Sequence, residues 1–152
     1  MSAAGGMPTE QQVQEDLMRL EAYRNQLNAL LQQHQILSGS RQDHARARES
    51  LEGVELSPAD AELLLPLGGE AYVRGSIDRR APVLIGVGSG IVVEMERPKV
   101  SELLAQRLQK IDETIRELEG QMQVVDERIQ ILSQRLDAVA RAAGGPSNVG
   151  GD

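Results

Sequence analysis

The second half of the chain carries the most regular apolar pattern. Leu104, Leu108, Ile111, Ile115, Leu118, Met122, Val125, Ile129, Leu132, Leu136 and Val139 recur at alternating steps of four and three residues. Such spacing keeps a narrow apolar stripe on one side of an α-helix, the seam of a coiled coil. Glu, Gln, Arg and Asp fill the flanks, as a solvated surface requires. Pro98 suits a first helical turn, where its missing N–H removes no hydrogen bond. Gly144-Gly145-Pro146 is a stop signal. The pattern predicts a helix over 98–143. Gly120 falls on the outward side, where it costs about 1 kcal/mol relative to alanine and removes no seam contact.

The first half is similar but less regular. Thr9 and Gln12 are placed to form a capping box. Val13, Leu17, Leu20, Leu27, Leu30, Leu31 and Leu37 read as a seam, which predicts a helix over 9–52. His34, Arg41, His44 and Arg48 stand where apolar seam residues are expected. Ser38-Gly39-Ser40 weakens helix propensity, so a kink or looser packing is expected near Gly39. At 1.5 Å per residue each helix is about 60–65 Å long. Two helices of similar length zip antiparallel, with Val13 near Val139 and Leu27 near Val125. Both chain ends then lie at the tip far from the strands.

Residues 53–60 form a connection broken by Ser57-Pro58, and 61–96 read as a β-rich head. Its four segments are Glu62–Leu67, Tyr72–Ser76, Val83–Val87 and Ile91–Met95. Gly68-Gly69 separates the first two, and Gly88-Ser89-Gly90 separates the last two. Short apolar runs divided by glycine turns read as two hairpins. Two isolated hairpins are marginal in water, and their open edges and apolar faces invite pairing. The head is therefore expected to be an oligomer interface. Leu63, Leu65, Leu67, Tyr72, Val73, Val83, Ile85, Val87, Ile91 and Val93 are its expected contacts. The fold class is α+β, mainly α: a long antiparallel two-helix coiled coil with two β-hairpins between the helices.

Composition strengthens this picture. The chain has no Phe, no Trp and two Tyr among 152 residues. Aromatic side chains dominate deep cores, so their scarcity favours thin aliphatic seams. A formal net charge of −7, with no basic stripe among aromatics, argues against nucleic acid as a partner. No apolar run approaches the roughly 18 residues of a membrane span, and no membrane partner is expected. The absence of cysteine excludes disulfides and thiol chemistry and suits a cytoplasmic protein. Residues 1–8 read as a disordered lead without signal-peptide character, with Met7 as an alternative initiator. Residues 144–152 read as a disordered tail.

Candidate chemistry is sparse. Gly86-x-Gly88-x-Gly90 resembles a nucleotide loop, but a dinucleotide fingerprint requires a helix to open immediately after it. An apolar strand-like run follows here instead, so a hairpin turn is the reading. His34 and His44, about three turns apart, are too few to make a metal site. Glu94 and Glu96, and Asp126 with Glu127, lack a companion nucleophile and read as solvated charge. No enzyme activity, catalytic residue, metal or cofactor is expected.

The order helix, two hairpins, helix resembles the alpha class of prefoldin subunits. The resemblance is carried by Leu65-Pro66-Leu67-Gly68-Gly69, by Ala71-Tyr72-Val73-Arg74-Gly75, and by Val83-Leu84-Ile85-Gly86-Val87-Gly88-Ser89-Gly90 with Val92-Val93-Glu94. Ile91 stands where the family usually has an aromatic residue. The architecture covers nearly the whole chain, and the specific residues cover the head. Polar residues after Ser38-Gly39-Ser40 depart from the smoother coils of the family.

The resemblance implies a hexamer of two alpha and four beta subunits, its strands pooled in shared β-barrels from which the coils hang. It also implies ATP-independent capture of non-native polypeptides at the coil tips and transfer to a group II chaperonin. Val13, Leu17, Met18, Leu132, Leu136 and Val139, with Met7, are the tip residues expected to touch such clients. Gln11, Gln12, Gln14, Glu15, Asp16, Arg19 and Arg135 would keep that tip soluble. Leu and Met adapt to irregular surfaces, and several weak tips add by multivalency. The competing expectation is a coiled-coil scaffold or adaptor with no affinity for unfolded chains.

Overall fold

The computed structural model describes residues 6–144. In chain order these form α1 (Glu10–Leu56), β1 (Leu63–Gly68), β2 (Ala71–Gly75), β3 (Val83–Gly88), β4 (Ile91–Met95) and α2 (Arg97–Ala143). The fold is mainly helical, with two antiparallel hairpins between two long helices, as the pattern predicts. The expected tail lies outside the described residues from residue 145 onward, as does the expected lead up to residue 5. Two compact units divide the described residues: one of residues 6–36 with 115–144, the other of residues 37–114.

In the first unit the two helical segments run antiparallel. Asp16 pairs with Arg135, and His34 with Glu119. These partners set the expected register, and Val13 and Val139 line one common hollow. Thr9 closes the start of α1 through the capping box. Its N–H donates to Gln12 Oε1 at 3.0 Å, and the Gln12 N–H donates to Thr9 Oγ1 at 3.3 Å. Every member of the predicted α2 stripe is at least half-buried, and Leu118 and Val125 are fully so.

The seam of α1 differs from the one expected. Val13, Leu20, Leu27 and Leu30 belong to it as expected, but the positions between the first three are Asp16 and Tyr23. Leu17 and Leu31 lie outside and are exposed. A 3.5-residue repeat admits both choices, because 16 and 17, 23 and 24, and 30 and 31 are equally spaced alternatives. Tyr23 and Leu30 together bury more apolar surface than Arg24 and Leu31 would, and Asp16 is carried inward with them. Asp16, expected as a solubilising surface group, is buried.

In the second unit α1 continues as helix through Ser38-Gly39-Ser40 and ends at Leu56 rather than near Glu52. The extra turn is held from outside the helix. Ser57 N–H and Oγ both reach the Gly53 carbonyl, at 3.1 and 2.6 Å. Arg79, from the segment joining the hairpins, donates to the carbonyls of Val54 and Glu55. Carbonyls at a helix end need such partners, and Gly53 is accommodated at a cost of about 1 kcal/mol. Two polar seam residues of this stretch also have partners, since Arg41 pairs with Asp112 and His44 Nδ1 meets the Ser40 carbonyl.

Candidate functional site

The two hairpins share one backbone design. In the first, Gly68, Gly69 and Glu70 all have positive φ; in the second, Gly88, Ser89 and Gly90 do. Each turn therefore has two left-handed central residues, as a two-residue type I′ hairpin connection requires. Each is preceded by a register shift, which leaves Leu67 and Val87 as the bulged residues. The glycines of Gly86-x-Gly88-x-Gly90 thus serve a turn between strands, with no helix opening behind them.

The hairpins differ in what covers them. Val83, Ile85, Val93 and Met95 share one face of β3–β4, because Val83 pairs with Met95 and Ile85 with Val93. That face packs on Val100 and Leu104 of α2 and on Leu51 of α1. Arg107 ties the same hairpin down by donating to the Gly86 carbonyl at 2.6 Å. Ile85 is 8% exposed. Ile85, and with it the half-buried Val83 and Val93, therefore belong to the subunit's own core, a correction to their expected place at an oligomer interface. The opposite face presents Leu84, 66% exposed, and Val92. Strict alternation along the strands could have singled these two out.

The β1–β2 hairpin has no such cover. Leu63 is half-buried beside Val54, Pro58 and Ile77. Leu64, Leu65, Leu67, Tyr72 and Val73 are all exposed, as are Val87 and Ile91 of the second hairpin. Among the described residues each sheet has only two strands, so every strand has an open edge. Beside β3 lies an open, mostly apolar hollow of about 500 Å³, floored by Leu51, Val100 and Leu104.

In the first unit the expected tip residues divide into two groups. Val13, Leu132, Leu136 and Val139 are half-buried in the seam, whereas Leu17 is 51% and Met18 63% exposed. Met7, Val13, Leu17, Val139 and Ala143 surround an open hollow of about 460 Å³, with Glu10 and Gln14 on its rim. Ile131, not among the expected tip residues, is exposed as well. Asp16 sits beneath this surface, and Arg135 Nε donates to its Oδ2 at 3.2 Å. About two turns further in, the Arg128 guanidinium stands 5.6 Å from the centre of the Tyr23 ring, within cation–π range.

His34 Nε2 lies 3.0 Å from Glu119. Among the described residues no three His, Cys, Asp or Glu side chains gather as metal ligands, and no helix is long and apolar enough to cross a membrane.

A family model of the prefoldin subunit matches residues 23–142. The chain belongs to the prefoldin family. Curated relatives named prefoldin subunit alpha include one from Archaeoglobus fulgidus, 28% identical over 87% of this chain and 96% of its own length. Another, from Methanopyrus kandleri, is 30% identical over 72% of this chain and 68% of its own. Among solved structures, a filamentous prefoldin from Methanocaldococcus jannaschii matches with a TM-score of 0.64 at 19% identity, covering 77% of this chain and 97% of that one. The prefoldin beta subunit of Thermococcus strain KS-1 matches with a TM-score of 0.59 at 21% identity, over 90% and 96%. These two structures agree with the fold. Prefoldin subunits are non-enzymatic chaperone components that work in oligomers, and membership places this chain among them.

Proposed function

We propose that this chain is the alpha-type subunit of an ATP-independent holdase in the cytoplasm. It joins beta-type subunits in a hexamer of two alpha and four beta chains through its hairpins. Its coil tip binds non-native polypeptides, which pass to a group II chaperonin. The observation that carries this reading is the apolar surface left open beside the ends of both helices, where Leu17 and Met18 project next to the hollow lined by Met7 and Val139. Aliphatic and thioether side chains on a charged rim suit brief contact with unrelated apolar segments. The first hairpin supports assembly, since among the described residues most of its apolar side chains are exposed and its strand edges are unpaired. Release needs no nucleotide if the chaperonin offers a competing surface.

The test replaces Leu17 and Met18 with Ser in the full chain and co-assembles it with its beta-type partner. Native mass is expected to be unchanged, while suppression of aggregation of an unfolded test protein falls several-fold. Unchanged suppression by the doubly substituted complex would overturn tip capture and favour a scaffold without affinity for unfolded chains.

A further inference from the structure

Asp16 is an unusual seam residue: a carboxylate, 5% exposed, between Val13 and Leu20. Its neighbour Leu17 would fill that seam position better, yet it stands outside. The two possible seams of α1 share Val13, Leu20 and Leu27 and part company at 16 or 17, 23 or 24, and 30 or 31. Tyr23 and Leu30 decide the choice along this unit, and the tip inherits a locally unfavourable outcome. Near its end the helix therefore has a competing arrangement, turned so that Leu17 packs inward and Asp16 reaches water. One contact opposes that turn. Arg135, itself half exposed, holds the Asp16 carboxylate from the facing helix, and a buried carboxylate is tolerated only when paired in this way.

We propose that the Asp16–Arg135 ion pair is a rotational pin that keeps Leu17 on the outer surface of the tip, so that both are positioning residues for client capture. This rests on the tip being the capture surface. A polar pair in an otherwise apolar seam commonly fixes register at some expense in stability; here it fixes which neighbour faces outward. The pin explains how a half-apolar surface persists beside a seam with room to absorb it.

The experiment reads the exposure of Leu17 directly, in the full chain with methyl-labelled leucine and a soluble gadolinium chelate as probe. Attenuation of the Leu17 methyl signals is expected to fall several-fold in Asp16→Ala and in Arg135→Ala. It is expected to hold in Arg135→Lys, which keeps the charge, and in Asp16→Leu, which fills the seam without it. Unchanged or increased attenuation in Asp16→Ala would overturn the pin. Holding of an unfolded test protein, measured on the same variants, is expected to follow the attenuation. If attenuation falls while holding does not, the pin stands and the capture reading fails.

Discussion

Leu84 and Ile85 are consecutive residues of similar size with opposite circumstances. Ile85 lies on Val100 and Leu104, and Leu84 points into solvent. Truncating Ile85 to Ala removes buried methylenes from a small core and is expected to lower stability by about 2–4 kcal/mol, read as a shifted denaturation midpoint of the isolated chain. Leu84→Ala is expected to leave that midpoint within about 0.5 kcal/mol. The same division explains why the sequence named the hairpins correctly but not their contacts. Alternation assigns Val83, Ile85 and Val93 to one face, but it does not say whether that face meets the chain's own helices or another subunit. Asp16 was hidden for a related reason. A charged residue reads as surface until the other seam positions show which way the helix is turned.

At the level of elements, α2 was almost fully legible and α1 only partly so. In α2 Leu103, Val124 and Ile131 stand beside seam residues, but Lys110 and Glu117 interrupt that alternative row, so one stripe is possible, and that stripe is the buried one. In α1 Leu30 is followed by Leu31, and Leu17 competes with Asp16, so the pattern alone supports two seams. The end of α1 was missed because the groups that hold it, Ser57 and Arg79, lie outside the helix. Gly120 offers a test of propensity without packing. A methyl group there would meet no other atom within 4 Å. Gly120→Ala is expected to stabilise the chain by about 1 kcal/mol, seen as a raised thermal midpoint with client holding unchanged. A loss of stability would show that this face of α2 is covered by something in solution.

For the whole molecule, the decisive feature is apolar surface left exposed among the described residues. Leu64, Leu67, Tyr72, Leu84 and Val92 are each more than half exposed, and such patches mark interaction sites. Leu67, the bulged residue of the first hairpin, is 70% exposed. Leu67→Asp is therefore expected to leave the helix content of the isolated chain intact and to reduce co-assembly with the beta-type partner at least tenfold, measured by native mass spectrometry over a concentration series. Undiminished assembly would show that the first hairpin is not part of the joint. The two hairpins differ accordingly: one face of the second packs on the chain's own helices, whereas most apolar side chains of the first are exposed.

The arginine that closes α1 lies 24 residues beyond the carbonyl it meets at Glu55. While the chain is being synthesised, the last turn of that helix is made well before Arg79 exists to hold it. Without Arg79 the Val54 and Glu55 carbonyls lose the donor that meets them, and the turn is expected to fray. A released chain truncated before residue 79 should accordingly be cut by proteases near Gly53, and one extending past the second hairpin should resist.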